Sequence, residues 1–144
     1  GNMQKLIEVT QTLPANIKNR LTFENDERCY NVKQLLEVHE KTGVPVVLDS
    51  HHHSFGANDL SLIDAFYETL KTWGKIKPLQ HLSNTEPDRI NGSFSDRRSH
   101  SNFIHYVPDI QLAAIKDNLI DVDVEAKMKN LALIKMRQDY EIKV

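Results

Sequence analysis

The chain has 144 residues, a formal net charge of −2 and 40% hydrophobic residues, which fits one domain with an ordinary core. This charge excludes a globally basic nucleic-acid-binding protein, so any DNA-binding function has to rest on local groups of residues. The single cysteine, Cys29, excludes an internal disulfide and favours a reducing compartment, which we expect to be the cytoplasm. We expect neither a membrane span nor a signal peptide, and so no membrane partner.

The hydrophobic pattern predicts strands that alternate with helices. A helix over 3–19, with a new turn at Pro14, precedes four strand and helix pairs. The strands are predicted over 20–25, 44–49, 76–83 and 121–127. The helices that follow them are predicted over 31–43, 59–74, 108–118 and 130–140, with a polar loop over 84–102. This alternation implies parallel strands joined by right-handed crossovers.

Two of these elements have specific sequence signals. The helix over 31–43 has Asn31 as a cap, Gln34 three residues later for a capping box, and Gly43 to end it. The segment "VPVVLD" (44–49) is apolar and rich in valine. Such a run is typical of a strand that is buried on both faces, as in parallel sheets.

Acidic residues and histidines cluster where the predicted strands end and the loops begin. They are Glu24, Asp49 with the histidines of 51–53, His81 and Glu125. In a (β/α)8 barrel the carboxyl ends of the strands converge on one mouth, where active sites lie. An open doubly wound sheet would spread these residues along a line. The clustering therefore favours an α/β fold built as part of a (β/α)8 TIM barrel.

Alternation within two strands supports an acidic inner face. In "RLTFEN" (20–25), Glu24 lies on the face opposite Leu21 and Phe23. In "DVDVEAK" (121–127), the valines share one face and three carboxylates share the other: Asp121, Asp123 and Glu125. Carboxylates directed into a barrel interior need a cation.

The candidate ligands are a mixed set of carboxylates and imidazoles: Glu24, Asp49, the histidines of 51–53, His81, His100 and Glu125. This set suits zinc, manganese or iron at a catalytic site, and the lack of cysteine argues against structural zinc. Several such ligands suggest more than one ion, and neighbouring ions clamp phosphoryl oxygens during hydrolysis. Beside His100, Arg97 and Arg98 are suited to hold a phosphate.

Some candidates also have a simpler structural interpretation. Glu24 and Asp49 could each cap the helix that follows, and Cys29 is interpreted as inert. His39 and His105 are interpreted as satisfied core residues without a ligand role.

The histidine run leaves two arrangements open. Strict strand alternation would pair Asp49 with His51 and His53. A turn at the end of the strand would bring Asp49 and His52 together instead. The periodicity does not choose between them.

Five segments resemble the ultraviolet damage endonuclease family and occur in the same order. They are "LTFEND", "GVPVVLDSHHH", "KPLQHLS", "RRSHSNFI" and "DVDVEAKMKNLAL", which together extend over nearly the whole chain. The family is a metal-dependent (β/α)8 barrel that nicks DNA immediately 5′ to ultraviolet photoproducts. The resemblance implies damaged double-stranded DNA as the substrate and divalent ions as cofactors, with Mn2+ first and Zn2+ or Mg2+ as alternatives.

The resemblance also implies roles for individual residues. The implied metal ligands are Glu24, Asp49, His52, His81, His100 and Glu125. Two of them, Glu24 and Glu125, are the expected catalytic carboxylates, and Arg97 and Arg98 are the expected phosphate-binding residues. The family pattern has a lysine two residues before the histidine that matches His81. Leu79 stands there, so a carboxylated lysine that organises the metals is not expected.

The length of the chain is a second departure from the family. A complete barrel needs ~250 residues, and this chain has 144. We expect one domain over 1–144 with four parallel β/α units. By resemblance it is the C-terminal half of the barrel, with the first half missing. We expect this half to be inactive alone. Open strand edges and inner apolar residues such as Val47 and Leu79 predict a homo-oligomer of this half. Alternative functions are a metal-dependent sugar isomerase or an AP endonuclease on a related barrel.

Overall fold

The computed structural model describes residues 2–56 and 58–143. The chain divides into two compact units, Gly1–Pro78 and Leu79–Val144. Each unit contains a pair of parallel strands together with helices. None of the helices in the described parts of the chain is long and apolar enough to cross a membrane. The single domain over 1–144 stays a prediction.

The first unit begins with two helices that break at Pro14, as predicted. Its elements are α1 (Met3–Thr12), α2 (Ala15–Lys18), β1 (Phe23–Glu24), α3 (Val32–Thr42), β2 (Val46–Asp49), α4 (Ser50–His53) and α5 (Leu62–Lys71). β1 pairs in parallel with β2, with Phe23 opposite Val46. β1 has two residues rather than the predicted six, because Leu21 N–H bonds back to the Lys18 carbonyl at 3.1 Å.

β2 is buried on both faces, as its valine-rich sequence predicts. All four of its residues are buried. Side chains bond both backbone groups of Val46: Thr72 Oγ1 accepts its N–H, and the Trp73 indole donates to its carbonyl, each at 2.9 Å. The apolar strand therefore has backbone partners from outside the sheet. The helices α3 and α5 contact β2 and contribute buried Val32, Leu35, Val38, Ala65 and Phe66, and α1 contacts α3 and contributes buried Ile7.

α3 begins and ends where its sequence signals predict. The side chains of Asn31 and Gln34 each accept the other's backbone N–H, at 2.9 and 3.0 Å, and so form the capping box. Gly43 ends the helix in the left-handed conformation, with φ of 74°. The Asp59 carboxylate accepts the N–H groups of the first two helical residues, at 2.9 and 3.1 Å. Three side chains therefore satisfy the amides that every helix start leaves without a partner.

Asn25 continues the pairing of β1 with β2 through its side chain. Its Oδ1 accepts the Asp49 N–H at 2.8 Å, and its Nδ2 donates to the Asp49 carbonyl at 3.0 Å. Asn25 is 1% exposed and Asp49 is 0% exposed. The amide therefore replaces a strand residue at the point where β1 ends.

The second unit contains β3 (Leu79–Leu82), a 3-10 turn (Pro87–Arg89), α6 (Phe94–Arg98), α7 (Asp109–Lys116), β4 (Asp121–Val124) and α8 (Asn130–Asp139). β3 and β4 are parallel and paired along their whole length, from Leu79 opposite Asp121 to Leu82 opposite Val124. The prediction of a loop over 84–102 is wrong for the residues of the 3-10 turn and α6. α6 starts at a capping box between Ser93 and Asp96, and five residues are too few for a periodic signal.

The alternation predicted for β4 is confirmed. Asp121 and Asp123 are exposed, whereas Val122 and Val124 pack against the core of this unit. That core consists of Leu82, Ile104, Val107, Ala126, Ala132 and Met136. The acidic face of β4 is therefore set by the apolar face behind it.

A buried pair of amides joins β3 to α7. Gln111 Nε2 donates to Gln80 Oε1 at 2.8 Å, and the two residues are 0% and 1% exposed. Among the described residues, Gln80 Nε2 and Gln111 Oε1 have no hydrogen-bond partner. An unsatisfied buried polar group costs about 1–3 kcal/mol. This contact between strand and helix is therefore made at an energetic cost.

We predict that Asn25→Ala lowers the free energy of unfolding by about 2–3 kcal/mol, because it leaves the buried N–H and carbonyl of Asp49 without their partner. Urea unfolding followed by circular dichroism measures the change. Asn91→Ala, at an exposed position, is the matched control and should change stability by less than about 0.5 kcal/mol. Equal losses in the two variants would contradict the role given to Asn25.

Candidate functional site

In the first unit, two adjacent parallel strands end in carboxylates. Glu24 is the last residue of β1 and Asp49 is the last residue of β2. Their nearest suitable oxygens lie within 4.8 Å of one another. Glu24 is exposed and Asp49 is buried. Two carboxylates this close disfavour each other's ionised form unless a cation or a proton lies near them.

The chain turns directly after β2, so the three histidines lie in a helical turn. Asp49 Oδ1 accepts the His52 N–H at 2.7 Å and caps α4. Of the two arrangements that the periodicity leaves open, the chain takes the turn at the end of the strand, where the Asp49 carboxylate contacts the backbone N–H of His52. A ligand role for both side chains stays a prediction. The cap uses one oxygen of the Asp49 carboxylate, so the capping role does not exclude a ligand role.

The flanking histidines of the run have structural contacts. His51 packs edge-on against Phe55, with ring centroids 5.0 Å apart. His53 Nε2 lies 2.9 Å from the Leu60 carbonyl and donates to it, because a carbonyl only accepts. Each flanking histidine therefore has a structural contact within the first unit.

Glu27 lies against His52 and was missed in the sequence analysis. Glu27 Oε2 is 2.7 Å from His52 Nδ1. The Glu27 side chain is 1% exposed and that of His52 is 16% exposed. The only sequence signal was an acidic residue three positions after Glu24, in a stretch without periodicity.

Asp26 holds the loop that carries Glu27. Its Oδ1 accepts the Arg28 N–H at 2.7 Å and also the Cys29 N–H. Partial burial raises the pKa of Asp26, but the bonds from Cys29 and Arg28 and the nearby His52 outweigh it, so the pKa is lowered overall. Asp26 therefore favours its ionised form, which is the form that accepts both N–H groups.

In the second unit, two histidines and two carboxylates come together near the carboxyl ends of β3 and β4. His81 Nδ1 lies 3.7 Å from Glu125 Oε1, and His81 Nε2 lies 3.7 Å from Asp123 Oδ2. His100 Nε2 lies 3.6 Å from Glu125 Oε2. These distances are too long for hydrogen bonds. They are closer to the spacing of two ligands on one metal ion, about 3.4 Å for tetrahedral bonds of about 2.1 Å.

An open cavity of about 420 Å³ adjoins this group. It is lined by His100, Asp123, Val124, Glu125, Ala126, Lys127 and Lys129. The two lysines were not predicted, although they follow Glu125 in the segment "EAKMK". The predicted phosphate-binding residues, Arg97 and Arg98, lie in α6 with their guanidinium carbons 5.9 and 5.8 Å from the centre of the Phe94 ring.

The strand ends of the first unit supply oxygen donors, and those of the second unit supply oxygen and nitrogen donors. The first unit offers Glu24 and Asp49, and the second offers His81 and Glu125. A group with this chemistry could bind a divalent metal ion.

Comparison with known proteins identifies close relatives of this chain. The chain is 36% identical over 140 residues to the UV DNA damage endonuclease of Nostoc sp. and 35% identical over 130 residues to that of Bacillus velezensis. A third relative, the UV DNA damage endonuclease of Halalkalibacterium halodurans, is 31% identical over 142 residues. The matches cover 93%, 88% and 96% of this chain but 40%, 40% and 43% of the relatives. The chain thus spans less than half the length of these relatives.

A solved structure and a family model agree with these relatives. The crystal structure of SacUVDE matches with a TM-score of 0.76 and 29% identity, covering 98% of this chain and 47% of that one. Together with the parallel strands of each unit, this match confirms the predicted α/β fold class, part of a (β/α)8 barrel. The family model described as UV-endonuclease UvdE matches residues 1–143. The chain therefore belongs to the UV-endonuclease UvdE family, as its motifs predicted.

Proposed function

We propose that this chain supplies part of the active site of a metal-dependent DNA repair endonuclease, which nicks DNA 5′ to ultraviolet photoproducts. The observation that carries the proposal is the meeting of carboxylates and imidazoles at the ends of parallel strands in a UvdE-family chain. Enzymes built on (β/α)8 barrels use this end of the strands for catalysis. Relatives named UV DNA damage endonuclease are more than twice as long as the matched segment. We therefore propose that the chain alone does not complete the nuclease.

The proposed metal ligands are Glu24, Asp49, His52, His81, His100 and Glu125. Carboxylate and imidazole donors without a thiolate suit Mn2+, with Zn2+ and Mg2+ as alternatives. Bound ions would supply Lewis-acid stabilisation of the charge that develops on the phosphodiester. Glu24 and Glu125 are the proposed catalytic carboxylates, whose negative charge would help to hold the cations.

Arg97 and Arg98 are proposed to bind a backbone phosphate of damaged double-stranded DNA. Each guanidinium presents donors that match two phosphate oxygens. Their contact with Phe94 restricts the side chains before DNA arrives, so less rotamer freedom is lost on binding. Lys127 and Lys129 add positive charge in the cavity beside His100.

We propose a cytoplasmic location, since the relatives come from bacteria, whose DNA lies in the cytoplasm.

We predict weak Mn2+ binding by the chain, with candidate ligands tested separately in each unit. Glu24→Ala and His81→Ala should each weaken Mn2+ binding by at least ~10–100-fold. Removing a group that only orients a metal ligand already has an effect of this size. Isothermal titration calorimetry provides the measurement. Glu37→Ala, on the exposed face of α3, and His105→Ala are controls of the same residue types and should bind as the wild type does. Equal affinity in all five proteins would refute the ligand assignment.

We predict that Glu125→Gln lowers the rate of nicking by about 100-fold or more, because it removes a charged ligand and keeps the side-chain volume. The assay uses irradiated plasmid and a polypeptide of full family length that carries this chain. Glu37→Gln is the control, and an unchanged circular dichroism spectrum checks the fold. Normal nicking by the Glu125 variant would count against its role. Conversion of an aldose to a ketose by the wild type would favour the sugar isomerase alternative.

We also propose that the chain by itself forms a homo-oligomer. Val47 does not support this, because it is 2% exposed and so already covered within the chain. The support comes from large apolar side chains that face water on α5 and α8: Ile63, Tyr67, Leu131 and Ile134, each more than half exposed. Covering such surface is worth ~25 cal/mol per Å², which favours association before its entropic cost.

Sedimentation equilibrium at low micromolar concentration should therefore give at least twice the 16.6 kDa mass of the chain. Ile134→Glu should shift the mass towards the monomer, since it places a charge in the apolar patch of α8. Asn91→Glu, at an exposed position outside α5 and α8, is the control and should not. A monomeric, folded wild type would overturn the proposal.

A further inference from the structure

We propose that Glu27 is a positioning residue that fixes the tautomer and orientation of the His52 ring, so that Nε2 is presented to a metal ion. The inference rests on the proposed function, because it assumes that His52 is a ligand. Glu27 would act through His52 and would not itself bind the metal.

The contact indicates which nitrogen carries the proton in the arrangement that we propose. Glu27 Oε2 lies 2.7 Å from His52 Nδ1. With the carboxylate as acceptor, Nδ1 is the donor. A neutral imidazole has a single N–H, and Nε2 then keeps the lone pair that binds a metal. Metal-binding histidines commonly use such a carboxylate on the other nitrogen, which also raises their basicity.

The surroundings fix both partners of this contact. The backbone of His52 is held by Asp49 Oδ1, which accepts its N–H at 2.7 Å. The loop of Glu27 is held by Asp26, which accepts the N–H groups of the two residues that follow Glu27. The Glu27 side chain is 1% exposed, so water competes little for its carboxylate. The His52 ring therefore has one orientation that keeps the hydrogen bond between Nδ1 and Glu27.

A carboxylate this deeply buried is costly unless its contacts compensate. If Glu27 had a purely structural role, only its contact with His52 would matter, and Nε2 would not have to be free of a proton. A positioning role predicts more: the Nδ1–H tautomer must dominate before metal is added, and metal affinity must depend on Glu27. The two roles are therefore distinguished by the imidazole proton and by metal binding.

The test combines nuclear magnetic resonance with calorimetry on the 144-residue chain. Long-range ¹H–¹⁵N correlation of the metal-free, ¹⁵N-labelled protein should show His52 in the Nδ1–H tautomer. Glu27→Gln should mix the two tautomers, because the glutamine amide both donates and accepts, and should weaken Mn2+ binding by about 10–100-fold. Glu86→Gln is the matched control, because Glu86 faces His105 at 3.4 Å, and should leave Mn2+ affinity unchanged.

The outcomes separate this inference from the proposed function. A wild-type His52 in the Nε2–H tautomer overturns the inference without any variant. Unchanged affinity in Glu27→Gln, with a loss in His52→Ala, overturns it and leaves the metal site intact. Equal Mn2+ binding by His52→Ala and the wild type instead overturns His52 as a ligand, and the inference with it. If Glu27→Gln does not fold, Glu27→Asp, which withdraws the carboxylate by one methylene, should give the same two changes.

Discussion

The two hydrogen bonds between the Asn25 side chain and the backbone of Asp49 hold the end of β2 in place. The candidate site of the first unit depends on them. The Asp49 carboxylate caps α4, the cap turns the chain, and the turn directs the histidines away from the strand. β1 alone, with two residues, is a short partner for β2. One buried amide therefore holds in place the strand end that carries the candidate ligand Asp49 and the histidines after it.

Features with a local signal were predictable from the sequence. The valine-rich run marked β2, Asn31 and Gly43 marked the ends of α3, and alternation marked the acidic face of β4. In each of these cases the residues that carry the signal are also the residues that form the element. The resemblance to a known family then selected candidate ligands that periodicity left open.

Features that depend on partners distant in the sequence were not predictable. Asn25 and Asp49 are 24 residues apart, and Glu27 and His52 are 25 apart. No spacing rule connects such pairs, because the fold alone brings them together. α6 was missed for another reason, since a helix of five residues is held by its capping box and shows no amphipathic period. The histidine run was ambiguous because its sequence does not signal whether the strand continues or the chain turns after Asp49. A strand alternates its side chains between two faces, whereas a helix rotates them by about 100° per residue, so the two cases give adjacent rings different neighbours.

The buried Gln80 and Gln111 pair has a consequence for how the second unit can assemble. Apolar side chains would pack between β3 and α7 in several alignments of similar energy, because dispersion forces have little directional preference. The amide pair makes one bond at 2.8 Å only when Gln111 lies beside Gln80. Sliding α7 along β3 by one turn would leave both buried amides without a hydrogen-bond partner. This would cost several kcal/mol. The pair thus destabilises the native arrangement slightly, but it destabilises other alignments of α7 on β3 far more.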